Sequence, residues 1–113
     1  MTEPRGSRRA VVFLDERPVG RLEERGDDVV FRYDDEWLAR EEALPVSLTL
    51  PLRAEPYVAR GVPPFFLGLL PEGWLFDLAL ARLKLTQADP FGLVLALCRD
   101  CVGAVRVLPE AEA

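Results

Sequence analysis

Residues 10–33 read AVVFLDERPVGRLEERGDDVVFRY, and the fold class turns on how this stretch divides. Val11-Val12-Phe13-Leu14 is a short apolar run bounded by Asp15-Glu16-Arg17-Pro18, the composition of a buried strand followed by a turn. Val19-Gly20-Arg21-Leu22 continues as the hairpin partner. Gly26-Asp27-Asp28 is the next turn, and from Val29 to Tyr33 the side chains alternate. Val29, Phe31 and Tyr33 share one face of a third strand by the two-residue period of extended chain.

Downstream, Asp34-Asp35-Glu36 precedes Trp37-Leu38-Ala39-Arg40. Acids at the head of a short helix complement its dipole, so one or two helical turns are predicted there. Val46-Ser47-Leu48-Thr49-Leu50 alternates apolar and hydroxyl residues and predicts a further strand. Residues 51–63 contain Pro51, Pro56, Gly61 and Pro63 and predict an irregular loop. Pro64 opens a short helix, Phe65 to Leu70, and Pro71 closes it. Residues 74–85 follow as a longer helix. Asp89-Pro90 pairs an N-cap with a proline at the first helical position, opening a helix to about Cys98. Ala104 to Leu108 is a last strand, and 109–113 are expected to fray. Strands first, then helices, then one strand predict a single α+β domain with a small, mostly antiparallel sheet and three or four short helices.

A chain of 113 residues buries roughly 60–68% of its unfolded surface, enough to fold without disulfide or metal. Fourteen Lys+Arg against nineteen Asp+Glu give a net charge of −5, which argues against direct nucleic-acid binding. The basic cluster Arg5 to Arg9 is expected to be part of a solvated, flexible leader spanning residues 1–9, with the domain at 10–109 and an acidic tail at 110–113. No apolar run approaches the ~20 residues that span a bilayer. No signal-peptide cleavage pattern follows the early arginines, so a cytoplasmic location is expected.

Catalytic chemistry has little to work with. There is no histidine, which removes the commonest general base and zinc ligand. No glycine-rich phosphate loop of either common pattern is present. Ser47 and Thr49 have no neighbouring base. Cys98 and Cys101 have C-x-x-C spacing, but they offer a zinc ion two ligands of four and lie at a helix C-terminus, where the dipole disfavours a thiolate. A redox or metal role for the pair is the minority reading beside two small packing residues. Residues 34–36 read as caps and solvated charge rather than a carboxylate pair. Elimination leaves a non-enzymatic domain with no metal or cofactor.

Five stretches in order, FRYDDEWL (31–38), LPVSLTLPL (44–52), FFLGLLPEGW (65–74), ADPFGLVLAL (88–97) and RDCVGAVRVLPE (99–110), resemble the N-terminal subdomain of HipA-type serine/threonine kinases, bacterial toxins of toxin–antitoxin systems. Cys98 stands where that family often has glycine, and Phe76 where a basic residue is frequent. In those proteins the ATP site and catalytic residues lie beyond this subdomain. A free-standing version is similar to HipS, the antitoxin of three-gene HipBST systems. The resemblance therefore implies a kinase-binding inhibitor whose partner is a HipT/HipA-like kinase, with a HipB-like helix-turn-helix protein as a further possible member of the complex. The alternative is a structural complement that a split kinase needs for folding or assembly.

The helix at 74–85 suggests where a partner would bind. At 100° per residue, Leu75, Phe76, Ala79, Leu80 and Leu83 share one face, while Trp74, Leu78, Ala81 and Leu85 fall nearly opposite. A second apolar face needs a second cover. The partner-binding residues expected on this ground are Pro71, Glu72, Gly73, Trp74, Leu78 and Leu85, with Trp74 as aromatic anchor. The competing reading buries Trp74 within the domain.

Overall fold

The computed structural model describes residues 6–70, 89–99 and 104–113. Five strands, β1 (Arg9–Leu14), β2 (Arg17–Arg25), β3 (Asp28–Tyr33), β4 (Tyr57–Arg60) and β5 (Val105–Pro109), form one sheet in the order β4-β3-β2-β1-β5. Every neighbouring pair is antiparallel. Helices α1 (Asp35–Leu38), α2 (Pro64–Leu67) and α3 (Pro90–Leu97) and a 3-10 turn, Glu110–Glu112, complete the described elements. This is the α+β domain that the order of strand and helix signals predicts.

Both early hairpins close on two residues. Leu14 pairs with Arg17 around Asp15-Glu16, and Arg25 pairs with Asp28 around Gly26-Asp27. Each loop needs a residue in left-handed backbone, supplied by Asp15 (φ 56°) and Gly26 (φ 65°), types that tolerate it best. The hairpin between β1 and β2 carries a bulge: Val12 pairs with Gly20 but Phe13 with Pro18, leaving Val19 as the extra residue. Pro18 is tolerated there because the ladder is already interrupted. The carbonyl of Val19 accepts the N–H of Asp34 at 2.9 Å, which ties the start of α1 to β2.

Alternation in β3 sends Val29, Phe31 and Tyr33 into the core with Ala10, Val12, Leu22 and Val107. Phe66 of α2 and Phe91 and Val94 of α3 cover the same face. Phe31 is the hub, its ring 4.8 Å from Tyr33 edge-on and 5.4 Å from Phe66. Gly20 lies against it: a Cβ there would meet the carbonyl of Arg32 at 2.7 Å and the Phe31 ring at 2.9 Å. Only glycine lets the two strands approach so closely.

Five expectations need correction. Residues 46–50 form no strand: they make a turn in which the Leu50 N–H bonds the Ser47 carbonyl at 3.1 Å, joined by an isolated bridge. Prolines at 45 and 51 bracket a run too short to build a ladder. The predicted loop 51–63 contains β4, an edge strand that pairs Tyr57 with Phe31 and Arg60 with Asp28. Arg8 is buried, not solvated, and Arg9 already belongs to β1. Residues 110–112, expected to fray, form a 3-10 turn, with Glu110 3.1 Å from Arg9 and Glu112 paired with Arg99. The helix expected at 65–70 is shorter, Pro64–Leu67, because the chain leaves it at Gly68.

Candidate partner-binding surface

The six residues singled out from the sequence, Pro71, Glu72, Gly73, Trp74, Leu78 and Leu85, all lie outside the described residues. The structure does show how the chain is held on either side of them. Before them, Phe66 of α2 is fully buried against Phe31, and Leu69 and Leu70 pack on the core. After them, Asp89 caps α3 by accepting the N–H of Gly92 at 3.2 Å. A Cβ on Gly92 would sit 2.2 Å from the Asp89 carboxylate, so that cap requires glycine.

Asp89 is also one of two carboxylates in an ion-pair cluster. The guanidinium of Arg8 donates to Asp89 at 2.6 and 3.0 Å and to Glu24 at 2.7 and 3.0 Å. Two carboxylates thus grip one guanidinium through paired bonds, the geometry in which arginine binds most strongly. The Arg8 guanidinium also lies 5.3 Å from the Phe91 ring centre. The hydrogen bonds it donates to Asp89 and then to Glu24 hold Arg8 in its charged form more firmly than in water. Burial pushes the Glu24 carboxyl upward, but its bonds to Arg8 outweigh that and its pKa is lowered overall. These carboxylates fasten the segment before β1, strand β2 and the head of α3 together.

A second fastening lies at the other end of β3. The Tyr33 hydroxyl donates to the Leu50 carbonyl at 2.5 Å and accepts the Val46 N–H at 3.0 Å. It therefore clasps both legs of the loop 44–52. Trp37 adds a third hold, its indole N–H donating to the Leu44 carbonyl at 3.0 Å. At the tip, the Ser47 and Thr49 hydroxyls bond each other at 2.8 Å and the Thr49 N–H bonds Ser47 Oγ at 3.1 Å. Val46 and Leu50 point inward, whereas Leu48 is 94% exposed and Leu44 61%.

Reactive groups are arranged for packing. Cys98 is fully buried in the core at the end of α3, and its carbonyl accepts the Val107 N–H at 2.8 Å; Cys101 lies outside the described residues. Asp34 turns to Arg21 at 3.3 Å instead of capping α1, and Asp35 and Glu36 occupy the first turn of that helix. Among the described residues no three His, Cys, Asp or Glu side chains gather as a metal-binding group.

The family described as HipA N-terminal domain matches residues 10–108. The chain belongs to the HipA N-terminal domain family. A solved structure titled N-terminal domain of HipA toxin superposes with a TM-score of 0.72 over 97% of both chains, at 26% identity. The putative kinase Y4mE of Sinorhizobium fredii is 41% identical over 102 residues, which is 89% of this chain. This HipA N-terminal domain spans 24% of Y4mE's length. An uncharacterized protein of Haemophilus influenzae is 28% identical over 101 residues, and there the match covers 89% of this chain and 92% of that one.

Two features of the HipA N-terminal domain escaped sequence reasoning. Arg8 had no signal, because its partners stand 16 and 81 positions away. The exposure of Leu48 had one: prolines at 45 and 51 around Ser-x-Thr favour a turn over a strand.

Proposed function

We propose that this HipA N-terminal domain is a non-catalytic antitoxin that binds a HipA/HipT-type serine/threonine kinase and neutralises it. The observation that supports this reading best is the contrast between two relatives. The domain matches about a quarter of a chain named a putative kinase and nearly the whole of a second, much shorter protein. A module found in both settings is suited to act as a separate chain on the type of protein it elsewhere belongs to. The carboxylates of Glu24 and Asp89 are engaged by Arg8, and Cys98 is sealed in the core, so the described residues favour binding over chemistry. In this reading Trp74, beside Pro71-Glu72-Gly73, anchors the contact, with Leu78 and Leu85 on the same helix face. The reading leaves room for a HipB-like helix-turn-helix protein as a further member of the complex, in the reducing cytoplasm, and in it this chain itself touches neither DNA nor membrane.

Co-expression tests it. Production of the HipA/HipT-type kinase from the same organism is expected to stop growth, and adding this chain is expected to restore it. If growth stops only when both are present, the chain is the structural complement of a split kinase and the antitoxin reading is wrong. ATP turnover by the purified chain alone would equally defeat it.

A further inference from the structure

We infer that the loop 44–52 is a second docking element, whose tip residue Leu48 enters an apolar pocket on the kinase. The inference rests on the kinase-binding reading above and adds a contact away from residues 71–85. A single exposed leucine is ordinary on a protein surface. Leu48 differs in how its backbone is held. Tyr33 clasps both legs of the loop, Trp37 holds its start, and Ser47 and Thr49 lock its tip by hydroxyl bonds. A loop already fixed in its bound shape loses little conformational entropy on association, so an apolar tip on such a loop is a preorganised anchor.

The occupant follows from charge and from the relatives. Arg40, Glu41, Glu42, Arg53 and Glu55 flank the loop in sequence, three acids against two bases. That near-neutral mix, with Glu42 already paired to Arg40, is not the basic patch that phosphates or anionic lipid require, and it favours a protein pocket as the cover. In Y4mE about three-quarters of the chain lies beyond the matched region, and that remainder is the surface available to cover the loop there. A separate kinase chain would present the equivalent surface to this domain.

The test measures binding of the wild-type chain and three variants to the kinase used in the growth assay, after a melting curve of each. Leu48→Asp is expected to melt like wild type, since its side chain faces water, and to bind at least about 30-fold more weakly. Leu48→Ala, which adds no charge, is expected to bind roughly 5- to 10-fold more weakly. Val58→Asp, at a 63% exposed position on the edge strand β4, is expected to bind as wild type does. If the wild-type chain binds the kinase and both Leu48 variants match it, this inference falls while the antitoxin reading stands. If the wild-type chain does not bind at all, both fall. A dimer of the chain alone that Leu48→Asp abolishes, with kinase affinity unchanged, would assign the tip to self-contact and overturn the inference. Should Leu48→Asp melt early, Leu48→Ala alone decides, and wild-type affinity in that variant overturns the inference.

Discussion

Arg8 and Asp89 stand 81 positions apart in the chain and 2.6 Å apart in the fold. The pair joins the start of the sheet to the head of α3, and Glu24 closes it from β2. Arg8→Met keeps the length of the side chain but leaves two carboxylates without their cation. The expected loss is about 3 kcal/mol in urea unfolding, because a partly buried charge without its partner costs more than the pair ever contributed. Asp89→Asn retains an acceptor for the Gly92 N–H and is expected to cost less, about 1–2 kcal/mol. Equal losses from the two variants would show that the Arg8–Asp89 pair carries the whole effect and that leaving Glu24 without its cation costs nothing.

The same cluster makes stability depend on pH. Glu24 titrates below its ordinary value of 4.5 in the folded chain, so the unfolded chain binds more protons in the interval between. The stabilisation is complete above that ordinary value and is lost as the pH falls through the folded one; Arg8 stays charged throughout. Glu24→Gln is expected to be less stable than wild type at neutral pH, with the gap narrowing as the pH falls from about 5 to 3. A gap that stays constant across that range, in unfolding curves at several pH values, contradicts the assignment.

Gly20 is fixed by contact. A methyl group at this position would strike the Arg32 carbonyl and the ring of Phe31, a backbone atom and the hub of the core. Gly20→Ala is expected to lower stability by roughly 1–3 kcal/mol, although alanine usually favours folding over glycine by restricting the unfolded chain. A neutral or stabilising result in thermal unfolding would mean that the two strands can part at little cost.

Tyr33→Phe removes one oxygen and leaves the Val46 N–H and the Leu50 carbonyl without their buried partner. The expected loss is about 1–3 kcal/mol. Hydrogen exchange at Val46 is expected to quicken while exchange in β1 and β2 stays close to wild type. Kinase binding should weaken too, with Leu48 itself unchanged, because the loop must then be ordered on association. Unaltered exchange at Val46 would show that Pro45 and Pro51 hold the loop unaided.

Trp74→Ala separates an interface anchor from a core residue. An anchor leaves the melting curve in place and costs about 2–4 kcal/mol of kinase binding. A core residue lowers the melting temperature before any partner is added. The melting curve is measured first and the affinity second.

The sheet was legible because its signals are local. The turn signals at 15–18 and 26–28, which the structure tightens to Asp15-Glu16 and Gly26-Asp27, and the alternation of Val29, Phe31 and Tyr33 are each contained within a few residues, and Asp89-Pro90 announces its helix unaided. Two mistakes share the opposite cause. Val46 to Leu50 alternates like a strand, but pairing depends on a neighbour that the alternation does not supply, and here a tyrosine hydroxyl takes the backbone groups instead. β4 was hidden because its ladder partner, β3, lies some thirty residues back and its own run is four residues between Pro56 and Gly61. Of the candidate surface, the exposure of Leu48 was within reach of turn chemistry. The Arg8 cluster was not, since no period or motif joins positions 8, 24 and 89.

The placement of β5 has a consequence for synthesis. Strand β1 lies between β2 and β5, with Leu14 opposite Val105 and Ala10 opposite Pro109. A nascent chain can close its first two hairpins early, but the outer edge of Arg9–Leu14 then has no neighbour until the last strand is made. At 5–20 residues per second that interval is roughly 5–20 s. Throughout it, Val11-Val12-Phe13-Leu14 is an uncovered apolar edge, the kind of template on which strands of other chains pair. Chaperone demand for this small domain should therefore peak late in translation, and fall when Val105 to Pro109 emerge from the ribosome.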